Sequence, residues 1–167
     1  MNTLIHILCI TGCLSLLSGC MHIPYQKMLD AEVDALCAKD GGVKIYETVP
    51  LPPERFEKNG ELKDVKFTRN ENTLGPDYIY KSEETYLKGD PKVDPNSIGN
   101  AWIKQYHTKI YRRADGKLLG EDIRYWRVGG GPKQWSSGLR SVHSCLRENE
   151  YGLIERLFVN TAKEEQR

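Results

Sequence analysis

The sequence predicts an α+β domain, in which a short N-terminal helix packs on an antiparallel β-sheet that contains a long central hairpin. Three observations support this class. One helical periodicity is followed by several strand-like segments, no β-α-β alternation occurs, and Asp115-Gly116 lies between two strand-like runs. The chain has 167 residues, of which 39% are hydrophobic and 28% charged. This composition is typical of one ordinary folded domain.

The first element is a predicted helix over residues 25–39. Its apolar residues recur at helical spacing, and Asp40-Gly41-Gly42 ends it. The positions expected to face the sheet are Leu29, Val33, Leu36 and Cys37.

Strands are predicted for most of the remaining chain. Residues 43–49 alternate strictly between apolar and polar side chains, and prolines follow them. Further strands are expected over residues 61–68, 77–87, 102–113, 117–128 and 139–146. Residues 153–159 suit either a strand or a helix.

The N-terminus carries a targeting signal. Residues 4–17 form a mainly apolar run that ends in Leu17-Ser18-Gly19-Cys20, and the first twenty residues contain no Asp, Glu, Lys or Arg. A membrane-spanning helix needs about 20 apolar residues, so the shorter run indicates a secretory signal. We therefore expect residues 1–19 to be cleaved, 20–24 to form a tether and 25–167 to form the domain. The alternatives are a buried apolar helix and a true start at Met21.

Leu17-Ser18-Gly19-Cys20 resembles the lipobox of bacterial lipoproteins. The resemblance implies that Cys20 is lipidated on its thiol and acylated on its new amino group, which gives the durable membrane attachment of several acyl chains. Inner-membrane lipoproteins usually carry Asp after this cysteine, and here Met21 follows it. The expectation is therefore an outer-membrane protein anchored by its N-terminal lipid, on the periplasmic side rather than the surface.

Cys37 and Cys145 remain after cleavage and lipidation. In an oxidising compartment two remaining cysteines suggest one disulfide bond. The alternatives are two separate buried thiols, or a nucleophile at Cys145 with His143 as its base.

Positive charge is concentrated in the predicted hairpin. Residues 102–133 carry 8 basic and 3 acidic side chains, whereas the whole chain has a net charge of +1. A two-residue Asp115-Gly116 turn would place His107 opposite Arg124 and Lys109 opposite Asp122. We interpret the side chains of His107, Lys109, Arg113 and Arg124 either as a solvated sheet face or as a surface for an anionic partner, such as lipid head groups, an anionic cell-wall polymer or another envelope protein. Near-neutral charge argues against nucleic acid.

Sequence motifs for catalysis, metal binding and cofactor binding are mostly absent, so no catalytic residue, metal ligand or cofactor is predicted. No phosphate-binding glycine loop, His-Glu-x-x-His, Cys-x-x-Cys or Gly-x-Ser-x-Gly occurs. The acidic pairs Glu83-Glu84 and Glu121-Asp122 are neighbours on strands, so the two carboxylates of each pair should point to opposite faces.

Two segments, residues 37–47 and 112–121, together with Ile123-Arg124-Tyr125, resemble a group of small uncharacterised lipoproteins from Gram-negative bacteria. This resemblance implies a cell-envelope location and no particular activity. The leading hypothesis is a non-enzymatic binding or structural module of the envelope. The alternative is a cell-wall-directed hydrolase or an inhibitor of one, which a buried acidic residue close to His107 or His143 in a cleft would favour.

Overall fold

The computed structural model describes residues 25–63, 65, 70–95, 100–130, 141–144 and 152–164, and it confirms the α+β class. The helices are α1 (Tyr25–Asp40), α2 (Leu153–Leu157) and α3 (Thr161–Glu164), with a 3₁₀ turn at Pro53–Arg55. The strands are β1 (Gly42–Ile45), β2 (Val49–Leu51), β3 (Tyr78–Lys88), β4 (Ala101–Arg112), β5 (Leu118–Gly129), β6 (Val142–Ser144) and β7 (Phe158–Asn160).

The main sheet has the strand order β1-β5-β4-β3, and β6 pairs with β5 beyond the end of β1. All of these pairs are antiparallel. Strands β4 and β5 have 12 residues each and pair along most of their length. They form the centre of the sheet. Together with the strands beside them, they position the side chains of the candidate binding surface.

The predicted register of β4 and β5 is wrong by one residue. His107 lies opposite Ile123, and Lys109 lies opposite Glu121. The connection is longer than a two-residue turn, because the Arg112 N–H donates to the Lys117 carbonyl and the Gly116 N–H donates back to the Arg112 carbonyl. Residues 113–116 therefore form the loop, a length that is also common in hairpins. This loop alone moves the pairing by two positions, and the irregularity between Ile110 and Tyr111 takes one of these back.

Residues 43–49 do not form the single strand that their alternation predicts. The N–H groups of Tyr46 and Glu47 both donate to the Leu119 carbonyl, and the chain bends there. Strand β2 then leaves the main sheet and pairs in parallel with β7. Pro50 lies inside β2 rather than ending it, which a strand in a two-stranded sheet tolerates because one edge needs no N–H donor.

Other predicted strands are shorter or different. Within residues 61–68, the described part shows only a single bridge between Leu62 and Phe56. Of residues 139–146, strand β6 occupies 142–144, and the remainder apart from Ser141 lies outside the described residues. Residues 153–159 begin as helix α2 and continue as strand β7, so the segment contains both of the alternatives.

Two hydrophobic clusters lie on opposite faces of the sheet. On one face, Leu29 and Val33 of α1 are buried against Ile103, Ile123 and Tyr125, together with Ala101. The other cluster joins the sheet to the C-terminal elements through Ile110, Leu119, Leu153, Leu157 and Phe158, with Val49, Phe56 and Leu74. Ile103 and Ile110 are an odd number of residues apart on one strand, so they point to opposite faces.

Candidate binding surface

The four residues of the predicted basic surface do not share one face. His107 and Lys109 lie on the sheet face that carries Ile123. Arg124 is adjacent to Ile123 in β5 and therefore points to the opposite face. Arg113 lies in the hairpin loop. The predicted grouping depended on a register that changes by one residue at the irregularity between Ile110 and Tyr111.

Three of these four side chains are also engaged in contacts. His107 Nε2 lies 2.7 Å from Glu121 Oε2, and Arg124 Nε donates to Asp122 Oδ2 at 2.6 Å. The Arg113 guanidinium donates to Asn72 Oδ1 and to the carbonyl oxygens of Pro76 and Tyr78. The Asp122 carboxylate cancels much of the positive potential of Arg124, and the Glu121 carboxylate occupies His107. Arg113 holds the loop against the segment before β3.

The face that carries Arg124 also carries a group of aromatic side chains. We call the group of Tyr86, Trp102, Tyr106 and Trp126, with Lys104 and Glu84 between them, the aromatic face. The register brings Tyr86, Lys104 and Trp126 into one row across β3, β4 and β5, and Glu84 and Tyr106 into the next row. All four aromatic side chains are half-buried, so each ring is both supported by the sheet and open to solvent.

The rings are arranged in two edge-to-face pairs. The ring centroids of Tyr86 and Trp102 are 5.6 Å apart at 79°, and those of Tyr106 and Trp126 are 6.2 Å apart at 73°. Lys104 Nζ lies 4.6 Å from the Tyr86 centroid and 4.9 Å from the Trp102 centroid. These are the distances of aromatic pairing and cation–π contact, which restrict the motion of the rings.

The charges of the aromatic face are paired with each other. Lys104 Nζ lies 2.9 Å from Glu84 Oε1, and the lysine side chain is only 12% exposed. Hydrogen bonds from Tyr106 and Lys104 lower the pKa of the Glu84 carboxyl despite partial burial. Burial alone would lower the pKa of Lys104, but hydrogen bonding to Tyr86 and Glu84 outweighs it and raises that pKa. Both groups are charged at neutral pH, and together they carry no net charge.

The sequence contained part of the signal for this surface. Trp102, Lys104 and Tyr106 are spaced by two residues, which places them on one face of a strand. Trp126 could be added only with the correct register, and Tyr86 only with the knowledge that β3 is the neighbour of β4. The concentration of basic residues in the hairpin instead predicts a surface of His107, Lys109, Arg113 and Arg124.

A second group of polar side chains lies on the opposite face. Glu121, whose side chain is 12% exposed, accepts a hydrogen bond from the Tyr46 hydroxyl at 2.5 Å and contacts His107, and Lys44 Nζ lies 3.8 Å away. The pKa of Glu121 is lowered. The hydrogen bond from Tyr46 is the largest cause, and the hydrogen bond with His107 is the next contact that lowers it. We call these four residues the polar cluster.

The remaining predicted residues have separate positions. His143 Nε2 in β6 lies 2.7 Å from Asp34 Oδ1 of α1. Cys37 is disulfide-bonded, whereas Cys145 and the lipidation site Cys20 lie outside the described residues. Within the described part of the chain, no three His, Cys, Asp or Glu side chains come together in a way that could hold a metal ion. The two carboxylates of Glu121-Asp122 have different partners, His107 and Arg124, one on each face.

Comparison with protein-family models, curated proteins and solved structures gives no significant match. Among the described residues, no helix combines the length and apolar character needed to cross a bilayer.

Proposed function

We propose that the protein is a lipid-anchored component of the bacterial cell envelope that works as a non-enzymatic binding module. The observation that carries the binding role is the aromatic face. Four half-exposed aromatic rings on adjacent strands are unusual on a surface that only meets solvent, because large aromatic side chains gain most from being covered. A partner that covers them would gain apolar contact without having to order flexible side chains.

The envelope location is supported by Leu17-Ser18-Gly19-Cys20. In this proposal Cys20 carries the lipid, and the domain faces the periplasm from the outer membrane. The test is metabolic labelling with a palmitate analogue, in which the Cys20→Ser protein should lose the label and leave the membrane fraction. Cys13→Ser is the matched control, since that cysteine belongs to the cleaved segment and should change nothing. Undiminished label on the Cys20→Ser protein would overturn the proposal.

We also propose that the partner of Cys37 is Cys145. Among the described residues Cys37 is the sole cysteine, so its partner lies outside them. Cys145 directly follows β6, and the contact between His143 and Asp34 holds β6 beside α1, the helix that carries Cys37. Such a bond would join the helix to the outer strand of the sheet.

The binding role is tested by capture of envelope components on the full-length protein in detergent. Tyr106→Ala and Trp126→Ala should each reduce capture, because they remove one edge-to-face pair from the aromatic face. Tyr25→Ala is the control, since Tyr25 is an exposed aromatic residue on α1. Equal capture by all four proteins would exclude the aromatic face as the binding surface.

A second candidate function is cell-wall hydrolysis or its inhibition, and the polar cluster is the observation that favours it. A half-buried carboxylate beside a histidine is the kind of pair that can transfer protons. The test is release of soluble fragments from purified cell walls. Release by the wild-type protein that disappears in Glu121→Gln would support this function, and no release by the wild-type protein would exclude hydrolysis.

A further inference from the structure

We propose that the ligand of the aromatic face is an uncharged sugar chain, of the type that forms the glycan strands of the cell wall. This inference rests on the proposed function and names the chemical class of its ligand. Sugar rings combine an apolar face of C–H groups with a rim of hydroxyl and amide groups. A surface that binds them needs exposed aromatic rings and, beside these, hydrogen-bonding groups that are already fixed in position.

The charge pattern favours an uncharged ligand over an anionic one. On the aromatic face Lys104 is bound to Glu84 at 2.9 Å, and the adjacent Arg124 is bound to Asp122 at 2.6 Å. An anion would have to compete with these carboxylates for the cations. A hydroxyl group, in contrast, can donate to the carboxylate and accept from the ammonium or guanidinium group without separating them.

The spacing of the groups suits a chain that crosses the strands. Neighbouring strands are about 4.8 Å apart, and residues i and i+2 along a strand are about 6.8 Å apart. In one row Lys104 lies between Tyr86 and Trp126, and in the next row Tyr106 lies between Glu84 and Arg124. Further along the same face, the hydroxyl groups of Ser82 and Thr108 lie 3.2 Å apart and continue the polar edge. Apolar and polar groups thus alternate at the scale of one sugar ring.

The rings are held in position before binding. The Tyr106 hydroxyl donates to Glu84, and the Trp102 indole N–H donates to the Asp90 carbonyl at 2.9 Å. Fixed side chains lose little conformational entropy when a ligand covers them. This favours a weak, repeated contact with a polymer, in which each sugar ring meets an already formed surface.

The experiment measures binding of a soluble N-acetylglucosamine oligosaccharide to the full-length protein in detergent, followed by tryptophan fluorescence and calorimetry. We expect saturable binding that changes little between 0.05 and 0.5 M salt, values chosen to span about 14 to 4 Å in screening length. Tyr106→Ala and Trp126→Ala should each weaken binding by about tenfold or more, as for a central aromatic contact. Tyr25→Ala is the control and should bind as the wild type does.

Melting curves of each variant separate loss of the surface from loss of the fold, and Trp126→Phe provides a second check. This variant keeps a ring on the surface, so it should retain more binding than Trp126→Ala at the same thermal stability. Equal losses in both Trp126 variants, with the fold intact, would overturn the role of ring contact.

The outcomes distinguish the ligand class from the binding role. If the oligosaccharide and purified cell walls do not bind, but Trp126→Ala loses an envelope protein that the wild type captures, the sugar inference falls and the proposed function stands. If binding occurs only to anionic lipid vesicles and disappears at high salt, the sugar inference also falls. If neither a sugar, a protein nor a vesicle binds, both proposals fall.

Discussion

Arg127 shows how a single side chain connects separate elements of this fold. It is 1% exposed, and its Nε atom lies 2.5 Å from Asp30 Oδ1 of α1. Its Nη1 atom donates to the carbonyl oxygens of Gly129 and Ser141. The guanidinium group therefore links the helix, the end of β5 and the residue before β6, and these contacts satisfy donors that would be costly to bury alone.

Replacing Arg127 with alanine should lower the free energy of unfolding by about 3 kcal/mol or more. The change leaves Asp30 without its buried partner, and removal of one member of a buried pair costs far more than the pair itself contributes. Urea denaturation measures the effect. Lys81→Ala is the control, because the Lys81–Glu71 pair is 3.9 Å apart and its side chains are 50% and 64% exposed, so it should cost less than about 1 kcal/mol. Similar losses in the two variants would contradict this role for Arg127.

Glu121 gives a prediction on pH dependence. Its pKa is lowered chiefly by the Tyr46 hydrogen bond. A depressed carboxyl pKa stabilises the folded state at pH values above the unfolded pKa, near 4.3, and this contribution is lost as the pH falls through the folded pKa. Tyr46→Phe should raise the Glu121 pKa towards its ordinary value and shift this loss of stability to higher pH. Carboxyl NMR titration of both proteins checks it, and an unchanged Glu121 titration would contradict the assignment.

At the scale of elements, the hairpin loop and the irregularity between Ile110 and Tyr111 together decide which residues of β4 and β5 face each other. Residues 113–116 make a loop whose last member, Gly116, has φ = +68°. This left-handed conformation is unfavourable for residues with a Cβ atom. A Cβ at position 116 would meet nothing within 4 Å, so the requirement for glycine is conformational rather than steric.

Gly116→Val should therefore destabilise the protein by about 1 to 2 kcal/mol, the cost of a left-handed conformation. Gly116→Asn is the matched control, because Asn adopts this conformation more readily, and it should cost clearly less. Thermal unfolding of the two variants measures the difference. Equal destabilisation by the two variants would contradict the prediction, because it would indicate that the loop changes its conformation instead of keeping residue 116 in the left-handed region.

At the scale of the whole molecule, the long sheet separates two hydrophobic clusters, and α1 covers only one of them. The helix depends on Leu29 and Val33 for its buried contact with the sheet. A disulfide bond from Cys37 to Cys145 would add a covalent link to these contacts. By restricting the entropy of the unfolded chain, a disulfide bond that closes a loop of this length would stabilise the folded state by at most about 4 to 5 kcal/mol.

Reduction should lower the thermal midpoint of the wild-type protein and expose two thiols that react with an alkylating reagent. The Cys37→Ser, Cys145→Ser double variant is the control, because its midpoint should not respond to reductant. Two alkylatable thiols in protein purified from the envelope without reductant would contradict the proposed bond.

Patterns among neighbouring residues were sufficient to predict the helix and the long strands, whose formation depends mainly on local contacts. The helical spacing of Leu29 and Val33 predicted α1. The tyrosines of residues 77–87 and the two strand-like runs beside Asp115-Gly116 predicted β3, β4 and β5 to within one residue of their observed ends. The spacing of Trp102, Lys104 and Tyr106 already placed them on one side of a strand. Each of these features depends on backbone preferences and burial that a few neighbouring residues decide.

Only the tertiary structure decided which strands are neighbours and in which register. The four-residue loop moved the pairing next to it by two positions, and the irregularity between Ile110 and Tyr111 took one of these back. The net shift of one position moved Arg124 away from His107 and brought Trp126 into the row of Lys104 and Tyr86. Likewise, the bend after β1 sent β2 to pair with β7, more than one hundred residues later. Side chains alternate with a period of two, so a single residue of register exchanges the two faces of a strand. The sequence by itself therefore determined α1 and the long strands β3, β4 and β5, and the packing of distant segments determined the short elements and the surfaces.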